Sequence, residues 1–120
     1  MTAHPYHARL ERVLARMGGL YTFNDIMSLV AQNQMQSWAE GDSWALTRIG
    51  IYPRGKAVEV MAVVGSLEES RILHDRIIQF ANEVGAKVIQ AYGRIGWKDD
   101  AEERGWKVVA ENYVYQRVLQ

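Results

Sequence analysis

Apolar positions recur along the chain in two periods. Leu10, Val13, Leu14 and Met17 fall at i, i+3, i+4 and i+7, which predicts an amphipathic helix over Pro5 to Met17. Arg9, Arg12 and Arg16 sit elsewhere on that helix. Pro5 suits a first turn, and Gly18-Gly19 ends the element. A second helix starts at Thr22, an N-cap residue with Asp25 at the third position. Its apolar stripe is Phe23, Ile26, Met27 and Val30, widened by Leu29, and the polar run Gln32-Asn33-Gln34 weakens its end.

The period then changes. Met35 to Ala39 reads as a short strand, closed by a turn at Glu40-Gly41-Asp42. Trp44 to Tyr52 alternates, with Trp44, Leu46, Arg48 and Gly50 on one face and Ala45, Thr47, Ile49 and Ile51 on the other. Pro53-Arg54-Gly55-Lys56 reverses the chain. Ala57 to Val64 is β-branched and nearly all apolar, the pattern of a central strand covered on both faces.

A long helix is predicted over Leu67 to Val84, with the stripe Leu73, Ile77, Phe80, Val84 and with Gly85 as its stop. Lys87 to Tyr92 is a short strand, and strand, helix and strand of these lengths suit a right-handed crossover between parallel strands. A short helix around Trp97 to Arg104 ends at Gly105, and Trp106 to Leu119 reads as the last strand. The order is α-α-β-β-β-α-β-α-β in one α/β (α+β) domain over 1–120 with a mixed sheet.

Composition changes this picture little. A chain of 120 residues with 48% hydrophobic residues and four tryptophans can build a core of its own. Fourteen basic residues balance fourteen acidic ones, which argues against a primary nucleic-acid binder. No cysteine is present, so thiolate nucleophiles and cysteine zinc sites are excluded. No apolar run approaches the length of a membrane span, and Met1 to Leu10 shows no secretory apolar region.

The stretch Val63-Val64-Gly65-Ser66-Leu67-Glu68-Glu69-Ser70 joins the central strand to the long helix. A helix N-terminus behind a glycine turn can hold a phosphate. Here Ser66 and Glu69 read as a capping box, in which Ser66 takes the Glu69 amide and Glu69 returns to the Ser66 amide. Glu68 and Glu69 also place negative charge where phosphates would lie.

Other clusters read more simply as structure. His4 and His7 lack a third metal ligand, so no metal site is expected, and His74 reads as a surface residue. Lys98 to Arg104 reads as the wet face of a short helix. Trp97 and Trp106 are expected to clamp that helix, and Trp38 or Trp44 could serve as core or as an interface anchor.

The element order is similar to the GNAT fold of the N-acetyltransferases. The likeness rests on Val58 to Tyr92 and on Ala101 to Trp106 followed by a strand. More narrowly, Asp25-Ile26, Trp38 to Ala45, Gly65 and Gly93-Arg94-Ile95-Gly96-Trp97 resemble small GNAT-like proteins encoded among tailed-bacteriophage virion genes. In active family members the turn reads [Q/R]-x-x-G-x-[G/A] and binds the pyrophosphate of acetyl-CoA. With Gly65 as the first glycine, Ala62 and Leu67 occupy the other two positions, so one of the three matches. The family's acid tyrosine falls at Ala101, with Tyr92, Tyr113 and Tyr115 as substitutes.

The resemblance therefore implies a reduced GNAT-like domain acting as a non-catalytic phage structural or morphogenesis protein. It would be an internal, ejection-associated virion component, found in the virion or the host cytoplasm. It would contact other virion proteins through Arg9, Arg12, Arg16, Arg94 and Trp97, with no cofactor. The alternative is an acyl-CoA-dependent N-acetyltransferase with a divergent turn. Gly65, Ser66 and Leu67 would then hold acetyl-CoA, and Glu59 or Tyr92 would move protons. A second alternative is a host-directed phage regulator.

Overall fold

The computed structural model describes residues 7–16, 19–91, 98–107, 109, 117 and 119. Its elements follow the predicted order: α1 (His7–Arg16), α2 (Phe23–Ala31), β1 (Gln36–Glu40), β2 (Ser43–Tyr52), β3 (Gly55–Val64), α3 (Leu67–Glu83), β4 (Val88–Ala91) and α4 (Lys98–Glu103). The described strands form one mixed sheet in the order β1-β2-β3-β4. β1, β2 and β3 are an antiparallel meander, and β4 joins β3 in parallel through α3. The expected closing strand over Trp106 to Leu119 falls mostly outside the described residues.

Alternation along the strands divides the core between the two faces of the sheet. On one face Leu14 of α1 and Ile26 of α2 pack with Met35, Trp44, Leu46, Ala62 and Val64. On the other, Leu73, Ile77 and Ala81 of α3 pack on Ala45 and Val58. β3 contributes to both clusters, which is why its sequence is apolar at almost every position. Met35 lies before β1 rather than in it, and its side chain is nevertheless core.

The caps act as predicted at α2. Thr22 Oγ1 accepts from the Asp25 amide at 3.1 Å, and Asp25 Oδ2 accepts from the Thr22 amide at 2.8 Å. The Phe23 amide donates to Glu11 of α1 at 3.0 Å, which fixes the two helices against each other. Beyond α3, Gly85 adopts φ 74°, and its amide and that of Ala86 return to the Asn82 and Ala81 carbonyls.

One irregularity matters for the site. β2 pairs Leu46 with Ala62 and Thr47 with Val60, so Met61 is an extra residue in β3. Such a bulge bends its strand and increases the local twist. It also moves Met61 and Ala62 onto the same side, so both meet the α1/α2 core.

Candidate functional site

The turn from β3 into α3 is built around three side chains. Gly65 takes φ 131°, a conformation that side-chain-bearing residues rarely adopt. A Cβ there would lie 1.8 Å from Ser43 Oγ and 2.6 Å from Ser43 Cα. That close approach lets Ser43 Oγ accept from the Ser66 amide at 2.9 Å. Ser66 Oγ accepts from the Glu69 amide at 3.2 Å, as a cap should.

Glu69 departs from the expected capping box. Its carboxylate accepts from the Ser43 hydroxyl at 2.7 Å, from the Ser66 hydroxyl at 3.2 Å and from the Asp42 amide at 3.3 Å. It therefore ties the β1–β2 turn to the helix instead of returning to the Ser66 backbone. Gly41 has no room for a Cβ, because the Glu69 carboxylate occupies that space. Two of the four amides opening the helix, those of Ser66 and Glu69, are thus occupied by side chains. The other two, on Leu67 and Glu68, lie in the first turn where no intrahelical acceptor exists. No protein acceptor takes them among the described residues.

These two amides stand just beyond the C-terminal end of β3. β4 pairs with β3 only from Ala57 to Val60. From the bulge at Met61 to Val64, β3 has no β4 partner among the described residues. Ligands of parallel sheets enter at the C-terminal ends of the strands, beside a helix N-terminus. A diphosphate fits this place in part: Leu67 and Glu68 offer amides and the helix dipole, while the Ser66 amide is closed and the Glu69 carboxylate opposes an anion nearby.

Glu59 lies two residues before the bulge at Met61, on the α1/α2 face of the sheet, and is 2% exposed. A glutamate on an outer edge is the simpler sequence reading, but β3 is internal and the side chain is buried. Its carboxylate accepts from the Tyr52 hydroxyl at 2.9 Å and from the Arg48 guanidinium at 3.5 Å. Gly50 completes the arrangement: a Cβ there would sit 2.1 Å from Glu59 Oε1. A buried carboxylate persists only when charge and hydrogen bonds compensate its lost hydration, and Arg48 and Tyr52 supply both. Sequence reasoning named Glu59 and missed Arg48, Tyr52 and Gly50. The signal was available, since the hairpin turn sets Arg48 opposite Glu59 and Gly50 opposite Ala57.

The remaining expectations divide. Tyr92, Arg94 and Trp97 lie outside the described residues, as do the side chains of Arg9 and Arg16. Arg12 is exposed on α1. Trp44 is core, and Trp38 is held by its Nε1–H on Thr47 at 3.0 Å and by an edge contact with Phe80. His74 is not a plain surface residue: its Nε2 accepts from Trp106 Nε1–H at 2.7 Å, and the ring is half-buried. Indole nitrogen only donates, so the imidazole proton sits on Nδ1, towards Asp75 at 3.4 Å. Burial first, and then the Arg104 guanidinium, hold His74 below its ordinary 6.5. Among the described residues no group of three acidic or histidine side chains could hold a metal, and no helix is long and apolar enough to cross a membrane.

Solved structures share this architecture over nearly all of the chain's length. A predicted acetyltransferase from Clostridium acetobutylicum, solved with acetyl-CoA, is 14% identical, with 95% of this chain and 92% of that one covered and a TM-score of 0.63. The chain has a GNAT-like fold. A Trypanosoma brucei acetyltransferase superposes with a TM-score of 0.67 at 7% identity, covering 98% and 97% of the two chains. A ribosomal-protein-alanine N-acetyltransferase from Brucella melitensis biovar Abortus gives 0.61 at 14% identity, covering 96% of each. No family model matches the chain, and no curated protein matches it.

These neighbours correct one expectation. The GNAT-like fold stands, but the solved structures that share it include several acetyltransferases, one of them with acetyl-CoA. The reading as a non-catalytic phage structural or morphogenesis protein, with its host-directed variant, is overturned by that finding. Of the short motifs that suggested a phage relative, Trp38 to Ala45 is accounted for by packing, since both tryptophans belong to the sheet's own cores, and Gly93 to Trp97 lies outside the described residues.

Proposed function

We propose that this chain is an acyl-CoA-dependent N-acetyltransferase whose cofactor turn departs from the family pattern. One observation carries the reading: among the described residues the Leu67 and Glu68 amides have no protein acceptor at the head of α3, and β3 from Met61 to Val64 has no β4 partner. Bound acetyl-CoA supplies an acetyl group activated as a thioester. Leu67 and Glu68 would hold its diphosphate through their amides, with Gly65 allowing the close approach.

Glu59 would act as general base; it lies on the same strand, four residues before Val63 and two before the bulge at Met61. It takes the proton that the acceptor amine sheds as its nitrogen bonds to the acetyl carbon, directly or through one water. The sulfur that leaves as the carbon–sulfur bond breaks would take a proton from an acid, for which Tyr92 is the candidate. Arg48 and Tyr52 orient the Glu59 carboxylate.

Thermal melting with added acetyl-CoA tests the reading. At one hundred times its dissociation constant the ligand should stabilise the fold by about 2.7 kcal/mol. Glu59→Gln should keep that shift and lower thiol release with an amine acceptor by about a hundredfold or more. A melting temperature indifferent to millimolar acetyl-CoA would contradict the reading.

A further inference from the structure

A shallow cavity of about 190 Å³ opens on the α1/α2 face of the sheet, between the β2–β3 hairpin and the start of β4. Tyr52, Ala57 and Val88 give it an apolar floor, and Arg54, Lys56 and Lys87 rim it. Among the described residues no acidic side chain lines it. Lys56 Nζ donates to the Val84 carbonyl at 3.3 Å, which caps α3. Arg54 and Lys87 are exposed, and neither has a side-chain partner among the described residues. In a chain with no net charge, two such cations around one apolar floor form a local anion field.

The cavity adjoins the proposed base. Tyr52 lines it and also donates to Glu59 at 2.9 Å. Register places Val88 beside Ala57 and Gln90 beside Glu59, so Val88 and Gln90 share the Glu59 face. Two residues along a strand separate these levels by roughly 6.5–7 Å. A molecule with its anion at the rim and its amine three or four bonds away spans about 4–5 Å, and a hydrogen bond of about 3 Å completes the reach to the level of Glu59.

We infer that this cavity takes the anionic end of the acyl acceptor, so that the acceptor is a small amine carrying a carboxylate or a phosphate. The inference rests on the acetyltransferase reading above. Arg54 makes the forked contact that suits both anions, and Lys87 adds a point charge. The floor of Tyr52, Ala57 and Val88 packs on the short apolar stem between anion and amine.

Amide chemical shifts of the whole chain provide the test, titrated with β-alanine and O-phosphoethanolamine against the uncharged-end analogues β-alaninamide and ethanolamine. The anionic amines should give saturable shifts at Gly55, Lys56, Lys87 and Val88, and the analogues should not. The tighter of the two anions identifies carboxylate or phosphate. Arg54→Ala and Lys87→Glu should each weaken that binding about tenfold, equivalent to about 1.4 kcal/mol, with melting temperature unchanged because both side chains are exposed. Equal shifts with charged and uncharged probes, or no shift at these residues, would overturn the inference. Acetyl-CoA titrated separately, and read at Leu67 and Glu68, judges the underlying reading. Acetyl-CoA binding without anion binding would sink the acceptor class alone. Anion binding without acetyl-CoA binding would sink the transferase reading, and the acceptor role with it.

Discussion

Replacing Glu69 with glutamine should move stability and cofactor affinity in opposite directions. The carboxylate accepts from the Ser43 hydroxyl at 2.7 Å, the Ser66 hydroxyl at 3.2 Å and the Asp42 amide at 3.3 Å. Hydrogen bonds to charged groups contribute about 1.5–3 kcal/mol each when dry, against about 0.5–1.5 for neutral ones. Glu69 is only half-buried, so water compensates part of the loss. The side chain also loses its favourable charge at the helix N-terminus, about 0.3–1 kcal/mol. A net cost of about 1–2 kcal/mol follows, or a melting temperature lower by about 4–8 °C in a domain of this size.

The same substitution removes a negative charge beside the open amides of Leu67 and Glu68. A phosphate seated there would be on the order of 5–6 Å away, where repulsion is about 0.7 kcal/mol in water and about 3 kcal/mol at an effective dielectric of 20. With Glu69 partly solvated the lower end applies, about 1 kcal/mol, which is about fivefold in the dissociation constant. Calorimetric titration with acetyl-CoA measures it, alongside melting by circular dichroism. A variant that melts lower but binds no more tightly would show that the carboxylate does not face the cofactor. One that binds more tightly without melting lower would show that the Ser43 and Asp42 contacts do not hold the turn.

Four further outcomes follow from the same geometry. Gly65→Ala should destabilise by about 2–4 kcal/mol in urea titration, since it adds both strain at φ 131° and a collision with Ser43, whereas Gly85→Ala at φ 74° meets no atom within 4 Å and should cost only about 1–2 kcal/mol. Gly50→Ala should displace the Glu59 carboxylate, lowering kcat by at least about tenfold with acetyl-CoA affinity retained, because the pair lies away from the α3 turn. Leu73→Ala, at 1% exposure, should cost about 2–5 kcal/mol. The lowered His74 pKa means that its contribution to stability is fully present above 6.5, the unfolded value, and is lost as pH falls from there through the folded value. His74→Gln keeps an acceptor for Trp106 without a titration, so the fall in urea midpoint from pH 7.5 to 5.5 should be smaller than in the parent chain.

Much of the fold could be read from local signals. Periodicity, turns and caps placed all eight described elements to within a few residues, and most of them have a face on one of the two cores. The bulge at Met61 could not be read, since Val60, Met61, Ala62 and Val63 are apolar and fit either register equally well. Glu59 stood out as the one acidic residue in that strand, but its burial depends on Arg48 and Tyr52 from the neighbouring strand. The capping pattern at Ser66 and Glu69 was legible, and half of it forms. The other half lost to Ser43 and the Asp42 amide, partners 26 and 27 residues away that no local motif contains. His74 was misjudged for a like reason: its acceptor role is set by Trp106, 32 residues on.

A crystal structure grown with acetyl-CoA tests the central claim most directly. The account predicts the diphosphate within hydrogen-bonding distance of the Leu67 and Glu68 amides, with the thioester pointing along β3 towards Glu59. A diphosphate bound elsewhere, with those two amides still facing solvent, would contradict it.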